Sequence, residues 1–202
     1  MKKPHPIVGA IVVTAVAYAT LRYNVFQGVP WSDWPVYVLN KAAAVSSLVM
    51  LLVWTLRAQR GRRNAPGGLL AAAARLALLH TALSIAILSP AYYPAFYNGA
   101  RLTWQGSLSL LLGVSTASGL VMSARGPLDA RATARRLGLV TFAVGLHAAI
   151  YGYPGWFTPS LWPGHLPPIT MLSAVAGLIG VGAAAASSRR ASAITSPRQA
   201  GP

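Results

Sequence analysis

Residues 75–94 read RLALLHTALSIAILSPAYYP, a long apolar run that carries one histidine, His80, near its middle. Residues 136–154, RLGLVTFAVGLHAAIYGYP, repeat the pattern with His147. Both runs open on Arg-Leu-x-Leu and both close at a proline. About 20 apolar residues suffice to cross a bilayer. An ionisable side chain inside such a run is costly and is read first as functional.

The rest of the chain agrees with a membrane reading. Of 202 residues, 54% are hydrophobic and 9% are charged, against about 25% in a soluble domain. That is too little polar surface to cover a water-soluble globule. Hydropathy places six spans at roughly 7–21, 36–56, 67–89, 102–124, 137–153 and 169–187. Pro66, Gly67 and Gly68 open the third span, and Pro90 and Pro94 close it. Pro154 closes the fifth, and Pro167 and Pro168 precede the sixth. The expected fold is therefore an all-α integral membrane protein, a six-transmembrane-helix bundle over residues 1–188. A disordered basic tail is expected over 189–202, where Ser, Ala, Arg and Pro dominate.

The net charge of +15 is a nucleic-acid signature only when the basic residues share one surface. Here they sit between the apolar runs. Lys2 and Lys3, the arginines of 57–63, those of 125–136 and those of 189–198 make thirteen charges on one side. The other side has Arg22, Arg101 and, just inside a span, Lys41. Arg75 lies within the third span and snorkels toward the first side. By the positive-inside rule both termini are cytoplasmic and the protein belongs in the plasma membrane, in contact with lipid and not with nucleic acid. The N-terminal MKK, apolar run and Ala17-Tyr18-Ala19 also imitate a signal peptide. Cleavage there would leave five spans and both histidines.

The loops opposite the basic side are rich in Trp, Tyr and Pro: residues 29–37, VPWSDWPVY; residues 89–97, SPAYYPAFY; residues 151–168, YGYPGWFTPSLWPGHLPP. Aromatic residues anchor membrane proteins at the headgroup level. A docking surface for an outer-side partner protein is the alternative. His165, in the last of these loops, and His5, in the basic N-terminal segment, read as surface histidines.

The chain has no cysteine, which excludes disulfides, thiolate nucleophiles, iron–sulfur clusters and covalently attached haem. The only acidic residues are Asp33 and Asp129, and neither lies in a span. Proton relays built on Asp, Glu and His chains therefore have no carboxylate to use. Spans three and five are both odd-numbered and run the same way. At about 1.5 Å per residue, His80 and His147 lie roughly 15 and 10 Å below the outer boundary. Two imidazoles at similar depth on parallel helices can ligate one iron from opposite sides. Small residues beside them, Ala73, Ala77 and Ser84 on one helix and Ala143, Val144 and Gly145 on the other, leave room for a flat macrocycle. Helix–helix packing uses small residues too, so structural histidines satisfied by neighbours are the competing reading. A bare metal site is the third, with few ligands for zinc.

The segments 24–52, 78–97 and 134–157 resemble the ferric reductase-like transmembrane family. That family includes the haem-binding membrane subunit of the bacterial methionine sulfoxide reductase system, NADPH oxidases and the STEAP metalloreductases. The resemblance runs over about residues 24–188. It implies b-type haem between the third and fifth helices and electron transfer across the membrane. Many members place a second histidine on each of those helices for a second haem. In this sequence the corresponding positions hold Tyr93 or Pro94, and Ala134 or Thr133. One haem b is therefore expected, with His80 and His147 as axial ligands to the iron. No dinucleotide fingerprint or flavin domain follows the sixth span, so no flavin or NAD site is expected in the chain. Electrons would come from quinol or a separate reductase. Asn40, Lys41 and Arg101 are the candidate partners of the haem propionates, with Trp104 and Gln105 at a similar level. The alternative is a cofactor-free membrane scaffold or assembly protein with the same fold. A small-solute transporter is a third reading, but transporters break helices at the midplane and the prolines here lie at span ends.

Overall fold

The structure, a computed structural model, describes residues 6–59, 67–125 and 130–195, with side chains described for 6–59, 68–125 and 132–186. Lys2, Lys3, His5, Arg60, Arg62, Arg63, Asp129 and Arg198 lie outside the described residues. Six helices follow one another: α1 (Pro6–Thr20), α2 (Leu39–Gln59), α3 (Gly67–Ala86), α4 (Trp104–Arg125), α5 (Ala130–Gly152) and α6 (Ile169–Thr195). All six lie in stretches long and apolar enough to cross a membrane. Wide π-helical turns extend α1 through Leu21–Phe26 and lead into α2 through Trp34–Val38. A two-residue hairpin, β1 (Tyr97–Asn98) against β2 (Arg101–Leu102), enters α4. Thr103 caps α4, its hydroxyl accepting the Gly106 N–H at 3.1 Å. Helix α6 runs past the expected span end at 187 and past 189, where a disordered tail was expected. Alanine, the strongest helix former, fills 183–186 and recurs beyond it.

The bundle exposes large apolar side chains freely and buries polar ones beside its apolar core. Its buried set includes Asn40, Ser46, Ser47, Thr55, Ser109 and Thr116. Its exposed set includes Val13, Ile85, Leu111, Met122, Leu139 and Leu178. Lipid tails reward apolar groups on the outside, while polar groups must find partners inside. Several do so along the chain: Thr55, Thr116, Ser123 and Thr141 each donate to a carbonyl one turn back. The chain is thus a multi-pass, all-α membrane protein.

Two ends of the bundle differ. At the basic end, near Arg57, Arg125, Arg135 and Arg136, an apolar core of Met50, Leu51, Trp54, Leu69, Leu70, Leu120 and Leu137 packs α2, α3, α4 and α5 solidly. At the aromatic end, Tyr93 stacks on Phe96 (centroids 5.3 Å apart), and Phe96 meets Tyr151 edge-on at 4.9 Å. Tyr18 and Arg22 of the first span donate to the carbonyls of Pro167 and Leu166, tying α1 to the segment before α6.

Packing order decides where a site can form. Helix α2 packs on α3 and α5, and α4 also packs on α3 and α5. Helices α3 and α5 therefore face each other across a ring of four. Helix α6 closes against α5 and α2, and α1 covers α2. The α5–α6 contact is the most extensive in the bundle. Glycines recur on α5 at seven-residue spacing, Gly138, Gly145 and Gly152, and bring the backbones together. A Cβ on Gly138 would lie 2.9 Å from the Gly180 carbonyl oxygen and 2.7 Å from Ala184 Cβ. One on Gly145 would lie 3.0 Å from the Ser173 carbonyl oxygen.

This seam is testable. Gly138→Leu is expected to force the two backbones apart and cost about 1–3 kcal/mol, which lowers the thermal midpoint in detergent by several degrees. Gly9→Leu, where a Cβ meets open space, should leave the midpoint unchanged.

Candidate functional site: a cavity between two histidines

Between the four helices of the ring lies a cavity of about 180 Å³, open at one side. His80, Thr81 and Ser84 line it from α3, and Val144, His147, Ala148 and Tyr151 from α5. Tyr93 and Phe96 lie over its aromatic end, and Leu51 and Leu120 of the apolar core lie at its other end. The exposed residues Ile85 on α3 and Val114 on α4 belong to its wall, so the mouth opens sideways between those helices.

Each histidine sits on the second helix of a helical pair and is held by the first. His80 Nδ1 lies 2.5 Å from Asn40 Oδ1 and 3.3 Å from the Asn40 backbone oxygen. His147 Nδ1 lies 2.7 Å from the Ser109 backbone oxygen and 3.0 Å from its hydroxyl. Carbonyl and amide oxygens only accept, so Nδ1 carries the proton on both rings. The unprotonated Nε2 of each ring then bears the lone pair, and neither Nε2 makes a hydrogen bond within the described residues. Gly113 makes room for His147: a Cβ there would lie 3.1 Å from His147 Cε1. His80 is six residues before the end of α3 and His147 five before the end of α5. At 1.5 Å per residue both rings lie about 8–9 Å from the aromatic ends of their helices. The depths match more closely than the expected 15 and 10 Å because α3 ends at Ala86, not at 89.

Asn40 is fully buried, at 0% exposure, and its amide is committed on every side. Its Nδ2 donates to the Tyr93 hydroxyl at 3.0 Å and to Ser84 Oγ at 3.1 Å. Burial raises the Tyr93 phenol above its ordinary pKa, so the hydroxyl stays neutral and able to accept.

Lys41 projects into the cavity, its Nζ 4.9 Å from the ring centroids of both Tyr37 and Tyr93. It makes no ion pair among the described residues. Asp33, the one carboxylate there, accepts instead from Tyr92 at 3.4 Å.

The other expected site residues fall elsewhere. Asn40 does not line the cavity, and its polar atoms are taken by His80, Ser84 and Tyr93, so none is left for a propionate. Arg101 is exposed on β2, held outside the cavity by the hairpin. Trp104 is 70% exposed and Gln105 is exposed, on the outward face of the first turn of α4. Ala73 packs against α2, where its carbonyl accepts from Ser47. Gly145 packs against α6 and does not line the cavity. His165 is exposed in the loop, at φ 55°. Ser109, Gly113 and Tyr93 were missed as site residues. Their sequence distance from the histidines hides them, and no local spacing signals them.

Among the described residues no group of three or more His, Cys, Asp or Glu side chains could hold a bare metal ion. The arrangement places two imidazoles, the Lys41 side chain and several hydroxyls on a largely apolar wall. Comparison with protein-family models, with curated proteins and with solved structures gives no match to this chain.

If the Asn40 amide depends on its phenol partner, Tyr93→Phe removes one acceptor from a buried donor. The expected loss is about 1–3 kcal/mol, read as a thermal midpoint lowered by several degrees in detergent.

Proposed function

We propose that the cavity holds one b-type haem, which Nε2 of His80 and of His147 would bind, and that the protein is a membrane electron-transfer subunit. The observation that carries this reading is the pair of rings pinned at Nδ1 by α2 and α4, each with an unpartnered Nε2 at the wall of one shared cavity. A metal-ligating histidine nearly always donates its other ring N–H to a carbonyl or carboxylate, and that arrangement is in place before any metal is considered. The largely apolar walls fit a macrocycle better than a bare ion. Haem so ligated would supply reversible one-electron transfer at the iron.

The chain's own residues do the rest. Helices α2 and α4 space the two ligands. Lys41, a cation without a protein counter-charge, meets an anionic group of the ligand. A buried charge is tolerated when paired, and a haem propionate has the sign and reach for that role. Leu48, Leu51 and Leu120 keep water from the basic end of the cavity. By the distribution of Lys and Arg the aromatic end faces outward and both termini are cytoplasmic, in the cell membrane. Electrons then arrive from a membrane quinol or from a separate reductase, and leave near the outer face, where a partner protein can dock on the aromatic loops.

Reduced-minus-oxidised absorption spectra of the protein purified in mild detergent test the reading. The expected result is a b-type α-band that disappears in both His80→Ala and His147→Ala. Lys41→Met should keep the band but retain haem several-fold less well through purification. A flat spectrum after haem supplementation would overturn the haem reading in favour of a cofactor-free scaffold.

Because the chain has no cysteine, its orientation can be read by single-cysteine labelling. Ala100→Cys is expected to react with a membrane-impermeant thiol reagent in intact cells. Gly61→Cys should react only after permeabilisation, and the opposite pattern would reverse the topology.

A further inference from the structure

The two histidines differ in their nearest acceptor. His147 Nδ1 lies nearest a backbone carbonyl, that of Ser109 at 2.7 Å, with the Ser109 hydroxyl at 3.0 Å. His80 Nδ1 lies nearest a side chain, Asn40 Oδ1 at 2.5 Å, with the Asn40 backbone oxygen at 3.3 Å. A backbone acceptor is set by the helix that carries it. A side-chain acceptor is set by one residue type and by whatever holds that residue still.

Asn40 is held still. Its Oδ1 faces His80 Nδ1, while Nδ2 reaches Ser84 Oγ and the Tyr93 hydroxyl. Ser84 lies one turn beyond His80 on the same face of α3, and its Oγ is 3.5 Å from His80 Nδ1. In this orientation the amide oxygen meets the Nδ1 proton, and a flip would set the NH₂ against that proton. This cluster connects the His80 ring to Tyr93, in the loop over the aromatic end. His147 has no equivalent side chain beyond Ser109.

An acceptor on the distal N–H makes a ligating imidazole a stronger donor to its metal, and a stronger donor favours the oxidised metal. We propose that Asn40 is the positioning residue that fixes the tautomer and donor strength of His80, and so sets the reduction potential of the centre. The proposal rests on the haem reading. It assigns the tunable ligand to α3 and the fixed one to α5. Asn40 does not touch the metal or the macrocycle. It acts through His80 alone.

The experiment is a redox titration of the α-band in the wild type, Asn40→Asp and Asn40→Leu, with low-temperature electron paramagnetic resonance of the oxidised forms. Aspartate keeps the acceptor and adds negative charge, so the potential should fall. Leucine removes the nearer acceptor at similar size and leaves only the backbone oxygen 3.3 Å away, so the potential should rise and the low-spin signal should broaden as the ring plane loosens. Outer partners of metal ligands change metal affinity by about 10- to 100-fold. A tenfold change in the preference for oxidised over reduced iron moves a one-electron couple by about 59 mV.

If Asn40→Leu loses its haem, the comparison of Asn40→Asp with the wild type decides alone. Haem retained at an unchanged potential in Asn40→Asp would overturn the proposal while leaving the haem reading intact. A colourless wild type would overturn the haem reading itself. The tautomer is then read directly, by ¹⁵N spectra of histidine-labelled protein. A protonated Nδ1 on His80 that is lost in Asn40→Leu supports the role of Asn40, and an Nδ1 proton unchanged by the substitution overturns it.

Discussion

Inside a bilayer an imidazole has no water to turn to, and the structure is organised around that constraint. Each ring must give its N–H to a protein oxygen, and that oxygen must come from another helix if the ring is to face a cavity. Asn40 on α2 serves His80, and Ser109 on α4 serves His147. The two helices that provide the acceptors are also the two that hold α3 and α5 apart. Satisfying the rings and spacing them are thus done by the same pair of helices. A bundle that let α3 and α5 pack directly would close the cavity.

The remaining helices support this arrangement by close packing. Bilayers provide little hydrophobic drive for helices to associate, so packing depends on small residues and interhelical hydrogen bonds. The glycines of α5 meet α6 backbone to backbone and turn the opposite side of α5, with His147, toward the cavity. Toward the basic end the ring is filled by Leu, Met and Trp side chains, so the open volume is confined to the aromatic half. In the haem reading this leaves one redox centre, near one face of the membrane. Electron exchange is then easiest at that face or sideways through the mouth between α3 and α4.

Much of the fold was legible in the residues. Six apolar runs, bounded by prolines and basic clusters, correspond to six helices, with ends displaced by a few residues. Span ends are set by capping and by wide π-helical turns, such as Leu21–Phe26, which hydropathy does not report. The candidate site was legible only in part. His80, His147 and Lys41 were singled out because a polar side chain in an apolar run is conspicuous, and all three line one cavity. Arg101, Trp104 and Gln105 were selected on estimated depth, and depth says nothing of which way a side chain points. Arg101 is carried away by a two-residue hairpin, and α4 turns Trp104 outward.

Composition and periodicity by themselves determined the solvent, the number of helices and the presence of both histidines inside apolar runs, because all of these follow from local hydropathy. Only the tertiary structure decided what the histidines do with their nitrogens. The acceptors lie 38 and 40 residues away along the chain. Asn40 reads as a polar residue near a helix end and Ser109 as one serine among several. Their roles arise when α2 meets α3 and α4 meets α5. A hydrogen bond is a relation between two positions in space, and a linear pattern holds only one of them at a time.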